Sequence, residues 1–433
     1  MVAKKEGLTA ADYKVWQQAC GFSYSKYGLL FDPLVRPIFK PVSSFTHDWM
    51  HCILSNGVFA TCMFSWLEAI EPHMQIYKVL SDYLPLWHHP KHQACKLELL
   101  FADKNKKNNK ESCTFKSTAS EAVSLLPILS YFIQAVLWPA NVCKKESKAT
   151  WQGLFCFVCA CCCTCFWHNS VLVFCSVGSN QVVLDLCSIV DILLSLPIVK
   201  IQSQHLEAAI NTFFDACGHA GWQSIFHSKF HWLTNMPKEM VEMGGFLPSC
   251  FTQERKHKTV KKYATSIQNL KHYNRSILEE IAVQDLYDLQ EQDFSNAARL
   301  ANKGACSKKV LAFLQGAFPD VNGDQCYCCS KAKLSPAGSC SRGDMVLVQD
   351  ASKLVAGEVM SNFEVCGTTW TLLQKMSLAN YSEEKASAKW SRAEEAVVLI
   401  ATENIQCAAT WSNGKDDTIV TIIPLPLRGW FES

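Results

Sequence analysis

The sequence predicts an α+β protein with a mainly helical N-terminal and middle part and a small all-β domain at the C-terminus. Apolar residues recur with helical period up to about residue 290, and short runs rich in Val, Ile, Thr and Trp follow after residue 335. The 433 residues suffice for two or three domains at roughly 100–200 residues each. With 49% apolar and 18% charged residues, a mostly disordered chain is excluded.

Net charge and cysteine content limit the cellular setting. The formal net charge of +2 gives no overall attraction to nucleic acid or membrane, so any such contact must come from a local patch. There are 23 cysteines, and the first residues lack the apolar core of a signal peptide. We therefore expect an intracellular, reducing compartment and free thiols.

The first hundred residues predict a helix, an extended segment and an apolar junction. A short helix is expected to end at Gly21, and residues 29–41 contain three prolines. Residues 43–70 are strongly apolar and suit a strand end that runs into a helix.

The middle of the chain predicts a helical insertion over residues 101–225. It begins with residues 103–111, which contain no apolar side chain and predict a solvated loop. Apolar patterns then predict helices at Ala119–Trp138, kinked by Pro127, at 182–196 and at Leu206–Cys217. These helices are expected to pack in one block.

Residues 154–177 form an apolar, cysteine-rich segment that differs from its surroundings. Seven cysteines lie between Cys156 and Cys175, and a His-Asn-Ser break interrupts the run. A metal cluster and a membrane span of about 20 residues are two interpretations. We favour a third, in which roughly 152–181 is an unspliced or otherwise spurious insertion, because the flanking sequence continues smoothly without it.

The C-terminal third predicts helices over 226–330 and a β domain over 335–433, with an SH3-like barrel as the expected form. Asn413-Gly414 is typical of a hairpin turn. A zinc set is an alternative to simple packing for the cysteines of this region, which are Cys326, Cys328, Cys329 and Cys340.

Two motifs carry chemistry. Asp48-x-x-His51 lies at the expected strand-to-helix junction, where a rigid strand end can place a metal-binding carboxylate. In residues 254–262, a helix would put Glu254, His257 and Lys258 on one face. Taken alone, the first motif is more often a capping Asp with a packed His, and the second a solvated helix face.

Together these motifs resemble eukaryotic cut-and-paste transposases of the CACTA type, within the CACTA–Mirage–Chapaev group. That family has a D-x-x-H signature at the second acid of a DDE triad, then a K-x-H-x-x-x-H/N-x-P segment leading into E-R/S-K-H-K. The matching segments here are Asp48 to His51, Lys229 to Pro237, Leu247 to Phe251 and Glu254 to Lys258. The likeness covers about residues 20–290.

The resemblance implies a partial ribonuclease-H-like core over residues 1–100, completed by helices after residue 226. It also implies phosphoryl transfer on DNA by two Mg²⁺ or Mn²⁺ ions. Asp48 would bridge a metal, Glu254 would hold one or orient the nucleophile, and His51 would support Asp48 or contact the scissile phosphate. The Asp48 and Glu254 carboxylates should then lie within roughly 8 Å of each other.

DNA contacts implied by the resemblance are weak and made to the phosphate backbone. The expected DNA-binding residues are Lys229, His231, Arg255, Lys256, His257, Lys258, Lys261 and Lys262. Self-association and a nuclear location are further expectations, and no small-molecule substrate is inferred.

The sequence departs from the family pattern in two ways. Trp49 replaces a proline, which is tolerable because Asp48 and His51 are kept. The strand that should carry the first catalytic Asp has no counterpart, since Asp12 and Asp32 lie in unsuitable contexts, and this second departure predicts a catalytically inactive remnant. Two alternatives stay open: a non-catalytic DNA-binding or scaffold protein derived from a transposase, and a protein anchored in a membrane by 154–177.

Overall fold

The computed structural model describes 15 stretches of the chain, which divide into two compact units, Met1–His47 and Asp48–Ser433. The described residues are 2–20, 34, 46–93, 96–138, 177–197, 199–251, 260–261, 263–266, 273–291, 297–334, 338–350, 353–382, 387–392, 396–414 and 418–424, with residue 34 standing alone. The cysteine-rich segment lies outside the described residues as far as Ser176. Its three interpretations therefore stay predictions.

In the first unit, the described residues form two helices, α1 (Val2–Gly7) and α2 (Ala10–Cys20). Thr9 precedes α2, and its hydroxyl oxygen accepts a hydrogen bond from the Asp12 backbone N–H at 3.2 Å. The predicted N-terminal helix is therefore observed, and it ends next to Gly21.

The second unit begins with a helical block. Its helices are α3 (Trp49–Ile53), α4 (Val58–Met74), α5 (Ile76–Tyr83), α6 (Asp103–Ser112), α7 (Ala119–Phe132), α8 (Val177–Ser195), α9 (Ser203–His219) and α10 (Ser228–Glu242). A π-helical turn, Ile133–Leu137, extends α7. The predicted helices in the insertion are confirmed, and their buried faces share one core. A further helix, α11 (Tyr273–Glu291), follows.

The start of α8 corrects the predicted boundary of the spurious insertion. Asn180 is fully buried, and its side-chain oxygen accepts a hydrogen bond from Trp66 Nε1 on α4 at 2.9 Å. Ser179 is also buried. Residues 178–181 therefore belong to the helical core.

Helix α6 corrects the prediction of a solvated loop over residues 103–111. Its polar side chains find partners of opposite charge: Lys106 contacts Glu71, and Lys110 Nζ lies 3.7 Å from Glu68 Oε1, both on α4. Asn109 is buried and accepts a hydrogen bond from the Lys116 N–H at 2.9 Å. Tertiary ion pairs thus stabilise a helix that has no apolar face.

The C-terminal part is antiparallel sheet with one short helix, α12 (Lys308–Ala317). Its strands are β2 (Arg299–Leu300), β3 (Gly304–Ala305), β4 (Cys326–Cys329), β5 (Lys331–Lys333), β6 (Ser339–Ser341), β7 (Met345–Asp350), β8 (Lys353–Val365), β9 (Thr368–Ser382), β10 (Ser387–Ser391), β11 (Val397–Ala401), β12 (Ile405–Asn413) and β13 (Ile419–Ile423). Strands begin about 35 residues before the predicted boundary at 335. The α+β class is confirmed.

Six strands of this domain pair into a closed ring in the order β7, β8, β9, β10, β13, β12 and back to β7. Each of the six contributes side chains to one buried cluster, so that cluster, which includes Trp390, is the barrel interior. Attached strands β3, β4 and β11 make the sheet larger than the predicted SH3-like barrel.

The predicted hairpin at Asn413-Gly414 joins β12 to β13, which pair antiparallel. A Cβ atom at Gly414 would lie 2.8 Å from the Ile419 carbonyl oxygen. The close approach of the two strands therefore requires glycine at this position.

Backbone pairing joins the helical block to the barrel. A two-residue strand, β1 (Trp87–His88), pairs antiparallel with the end of β12. Nearby, the Lys91 N–H donates to Asp344 Oδ1 at 3.0 Å. Within the described part of residues 1–100, β1 is the one strand, so the described chain there is mainly helical.

Three helical stretches are long and apolar enough to cross a membrane: Trp49–Met74, Ala119–Leu137 and Gly178–Ser195. Between 56% and 72% of their most apolar windows is buried inside the protein. All three stretches also contribute side chains to the shared helical core.

Candidate functional site

Asp48 is the N-cap of α3. Its Oδ1 accepts a hydrogen bond from the Met50 N–H at 3.2 Å, and its Oδ2 contacts His51 Nδ1 one turn later. The capping interpretation of the D-x-x-H motif is therefore confirmed. His51, however, is not packed in the core, since 47% of its side chain is exposed.

The segment Leu247–Phe251 lies against the start of α3. The Cys250 N–H donates to Asp48 Oδ1 at 3.0 Å, and the Trp49 N–H donates to the Pro248 carbonyl oxygen at 3.4 Å. The Trp49 and Phe251 rings meet edge to face at 5.7 Å between centroids. These contacts join two sequence motifs that are about 200 residues apart in the chain.

Lys229, in the first turn of α10, closes the other end of α3. Its ammonium donates to the carbonyl oxygens of His51, Ser55 and Asn56 at 2.8, 3.0 and 3.0 Å. In return, the Cys52 thiol donates to the Lys229 carbonyl oxygen at 3.3 Å. Lys229 therefore fixes backbone that the end of α3 would otherwise leave without donors.

Two further residues, His227 and Gly57, fix the positions of α10 and α3 relative to α4. His227 caps α10, where its Nδ1 accepts from the Lys229 N–H at 3.3 Å, and its Nε2 lies 3.2 Å from Thr61 Oγ1 on α4. At Gly57, which precedes α4, a Cβ atom would lie only 2.1 Å from the Cys52 carbonyl oxygen. Glycine at this position allows α3 and α4 to meet closely.

Charge within the site is set by burial and hydrogen bonds. Burial alone would raise the pKa of Asp48, but hydrogen bonds from the His51 and Cys250 side chains and from the Cys250 backbone, together with the His51 charge, lower it overall. Burial raises the pKa of Cys52 to about 12. At neutral pH, Asp48 is therefore an anion and Cys52 a neutral thiol.

Metal-binding atoms converge at this place. One ligand atom each from Asp48, His51 and Cys250 lie within 4.8 Å of one another, and among the described residues no other set of three His, Cys, Asp or Glu side chains does so. Mg²⁺ and Mn²⁺ prefer oxygen ligands. One carboxylate, one imidazole and one thiol are not a typical ligand set for either ion. The expected two-metal centre also involves Glu254, which lies outside the described residues, and it stays a prediction.

The set also differs from a Cys-His-Asp hydrolase triad. In such a triad, the histidine stands between the nucleophile and the acid and takes the proton of the nucleophile. Here Asp48 is in the central position, since its carboxylate accepts from both His51 and Cys250. The arrangement is therefore not that of a Cys-His-Asp triad.

The other predicted site residues divide into two groups. His231 lies exposed on α10, and Lys261 is exposed in a short described stretch. Glu254, Arg255, Lys256, His257, Lys258 and Lys262 lie outside the described residues. The expected distance of roughly 8 Å between the Asp48 and Glu254 carboxylates therefore stays a prediction, as do the DNA contacts.

The cysteines predicted as an alternative zinc set do not converge. Cys326 is buried in the cluster under α12, whereas Cys340 is buried in a separate cluster beside the barrel. The Cys329 thiol accepts from the Lys331 N–H at 3.4 Å. Within the described chain, these side chains meet no common point.

Cys250 and His227 are the site residues that the sequence did not reveal. Cys250 lies inside the matching segment Leu247 to Phe251, so a metal-binding residue type within that segment was the available signal. Its contact with Asp48 spans 202 positions of sequence, and no local pattern encodes such a contact. Comparisons of the chain with protein-family models, curated proteins and solved structures give no match.

Proposed function

We propose that this protein is a catalytically inactive relative of CACTA-type transposases that binds the DNA phosphate backbone. One observation carries the proposal: three separate segments of the resemblance meet in space. These are Asp48 to His51, the start of α10 at Lys229, and Leu247 to Phe251. Convergence of motif residues from distant parts of the chain is typical of a functional site.

The inactive character follows from the ligand set. Two divalent ions held close together need several carboxylates. In the described ligand set of Asp48, His51 and Cys250, Asp48 is the one carboxylate. Glu254 is three residues beyond Phe251 in sequence, a chain length that spans at most about 10 Å, and a second acid alone does not complete a triad.

DNA binding is proposed for the basic segment that follows the site. Arg255, Lys256, Lys258, Lys261 and Lys262 give five cations within eight residues. Lys229 is a weaker candidate for a phosphate contact, because three carbonyl oxygens already accept from its ammonium. A partial ribonuclease-H-like core and a nuclear location belong to the same proposal.

The first test measures binding of the full chain to double-stranded DNA by fluorescence anisotropy at several salt concentrations. Changing Lys258, Lys261 and Lys262 to Gln should weaken binding and reduce the slope of log K against log[salt] by up to about 3, since each phosphate contact contributes about 0.9. The matched control changes three exposed lysines of the β domain, Lys308, Lys309 and Lys333, to Gln. Equal losses in both variants would contradict the proposed DNA segment.

The second test is nicking of supercoiled plasmid in Mg²⁺ or Mn²⁺. We expect no metal-dependent cleavage by the full chain. Cleavage that Glu254→Ala abolishes would overturn the inactive assignment and show that a further acid completes the site.

A further inference from the structure

We propose that Asp48, His51 and Cys250 bind one zinc ion, or a divalent ion of similar softness, with a fourth position open to water. This inference concerns ligand chemistry at the site and does not rest on the proposed DNA function. It starts from three ligand atoms that lie within 4.8 Å of one another.

The donor types select the ion. Zinc is bound by cysteine sulfur, histidine nitrogen and carboxylate oxygen, whereas magnesium and calcium take oxygen ligands. A set with one donor of each kind therefore favours zinc over the magnesium expected from the resemblance. Three protein ligands with a free fourth position are the arrangement of zinc sites that keep an exchangeable water.

The spacing is close to that of a loaded site. With bonds of about 2.0–2.3 Å, tetrahedral ligands stand about 3.5 Å apart. The upper limit of 4.8 Å exceeds this spacing by about 1.3 Å, whereas His51 Nδ1 and Asp48 Oδ2 are in direct contact and would have to move apart to reach it.

Hydrogen bonds aim the donors at a common point. His51 Nδ1 and the Cys250 thiol both contact the Asp48 carboxylate. Zinc binding replaces such protons, because the thiolate and the neutral imidazole are the ligating forms. The ion would thus occupy the space where the three side chains already meet.

The surroundings hold the ligands and leave access. Backbone N–H groups of Met50 and Cys250 fix Asp48 Oδ1, which leaves Oδ2 toward His51. Partners of this kind orient metal ligands. Access for an ion is provided by the exposure of 47% of the His51 side chain and 19% of the Asp48 side chain.

The test measures the rate at which iodoacetamide alkylates Cys250 in the full chain, with and without Zn²⁺, by peptide mass spectrometry. Cys250 is the one cysteine between Lys238 and Arg255, so its tryptic peptide reports this thiol despite the other 22 cysteines. Zn²⁺ should slow alkylation at least about tenfold, which corresponds to a stabilisation of the zinc-bound thiolate by at least about 1.4 kcal/mol. Mg²⁺ at the same concentration should leave the rate unchanged.

Two variants and one internal control make the result specific. Asp48→Asn keeps an N-cap, and His51→Ala changes an exposed side chain; each should remove the protection of Cys250 by Zn²⁺. Cys113, which follows α6 and is not part of the ligand set, is exposed. It should be alkylated at the same rate in all variants. Unchanged alkylation of Cys250 in Zn²⁺, or protection that survives both substitutions, would overturn the proposed site.

Discussion

The helical block and the β domain differ in whether their metal-binding side chains converge. Seven of the described cysteines lie in the β domain after residue 300, yet the described ligand set lies in the helical block and uses one cysteine. Cys326 on β4 and Cys340 on β6 are buried in different clusters, and along β4 the successive side chains of Cys328 and Cys329 point to opposite faces of the sheet. In the helical block, a helix start and a loop cross, and three donors meet. Convergence of chain segments, more than the number of cysteines, determines where a ligand set forms.

The largest expected effect compares the two cores through one tryptophan in each. Trp66→Ala in the helical block and Trp390→Ala in the barrel should each reduce the free energy of unfolding by about 3–5 kcal/mol, because both side chains are buried. Chemical unfolding followed by circular dichroism measures these losses.

Substitution of each tryptophan by phenylalanine should have different effects on stability in the two cores. Trp66 Nε1 donates to buried Asn180, whereas Trp390 Nε1 has no hydrogen-bond partner among the described residues. Trp66→Phe should therefore cost about 1–3 kcal/mol more than Trp390→Phe, since it leaves a buried acceptor unsatisfied. Equal costs would show that the Asn180 contact contributes nothing and would weaken the assignment of residues 178–181 to the core.

The next effect concerns the junction where the two regions pair. Burial, together with the charge of His88, lowers the pKa of His89 to about 4, and Glu98 opposes this shift. His89 Nδ1 lies 3.3 Å from Thr410 Oγ1 on β12. Because the folded state binds fewer protons than the unfolded state between pH 4 and 6.5, stability rises with pH across that window. It is lost as pH falls from 6.5 toward 4.

Acidification should thus destabilise the protein through His89 by up to about 3 kcal/mol. Burial also lowers the pKa of His92, which acts in the same direction. His89→Gln should reduce the pH dependence of the urea midpoint, and the exposed control His73→Gln should leave it unchanged. A pH dependence that is identical in both variants would exclude His89 as the acid-sensitive group of the junction.

Elements with a periodic apolar pattern were predictable, and elements made by distant partners were not. The stripe of Leu206, Ile210 and Phe213 predicted α9, because these residues all face the core. Helix α6 was missed, since its stability depends on Glu68 and Glu71 of another helix. The site shows the same division: Asp48 and His51 were identified by local spacing, whereas Cys250 joins them through a contact that only the folded chain defines.

The smallest of these effects tests whether the site depends on long-range contacts. Lys229→Met removes three hydrogen bonds to carbonyl oxygens at the end of α3. Burial lowers the pKa of Lys229, although the Asp48 charge opposes this, so the substitution also removes a partly buried charge. We expect a net loss of about 2 kcal/mol in the free energy of unfolding. Lys238→Met, on the exposed side of the same helix, should cost less than about 0.5 kcal/mol. If the two variants unfold at the same urea concentration, the lysine does not hold α3, and the site would depend on local capping by Asp48 alone.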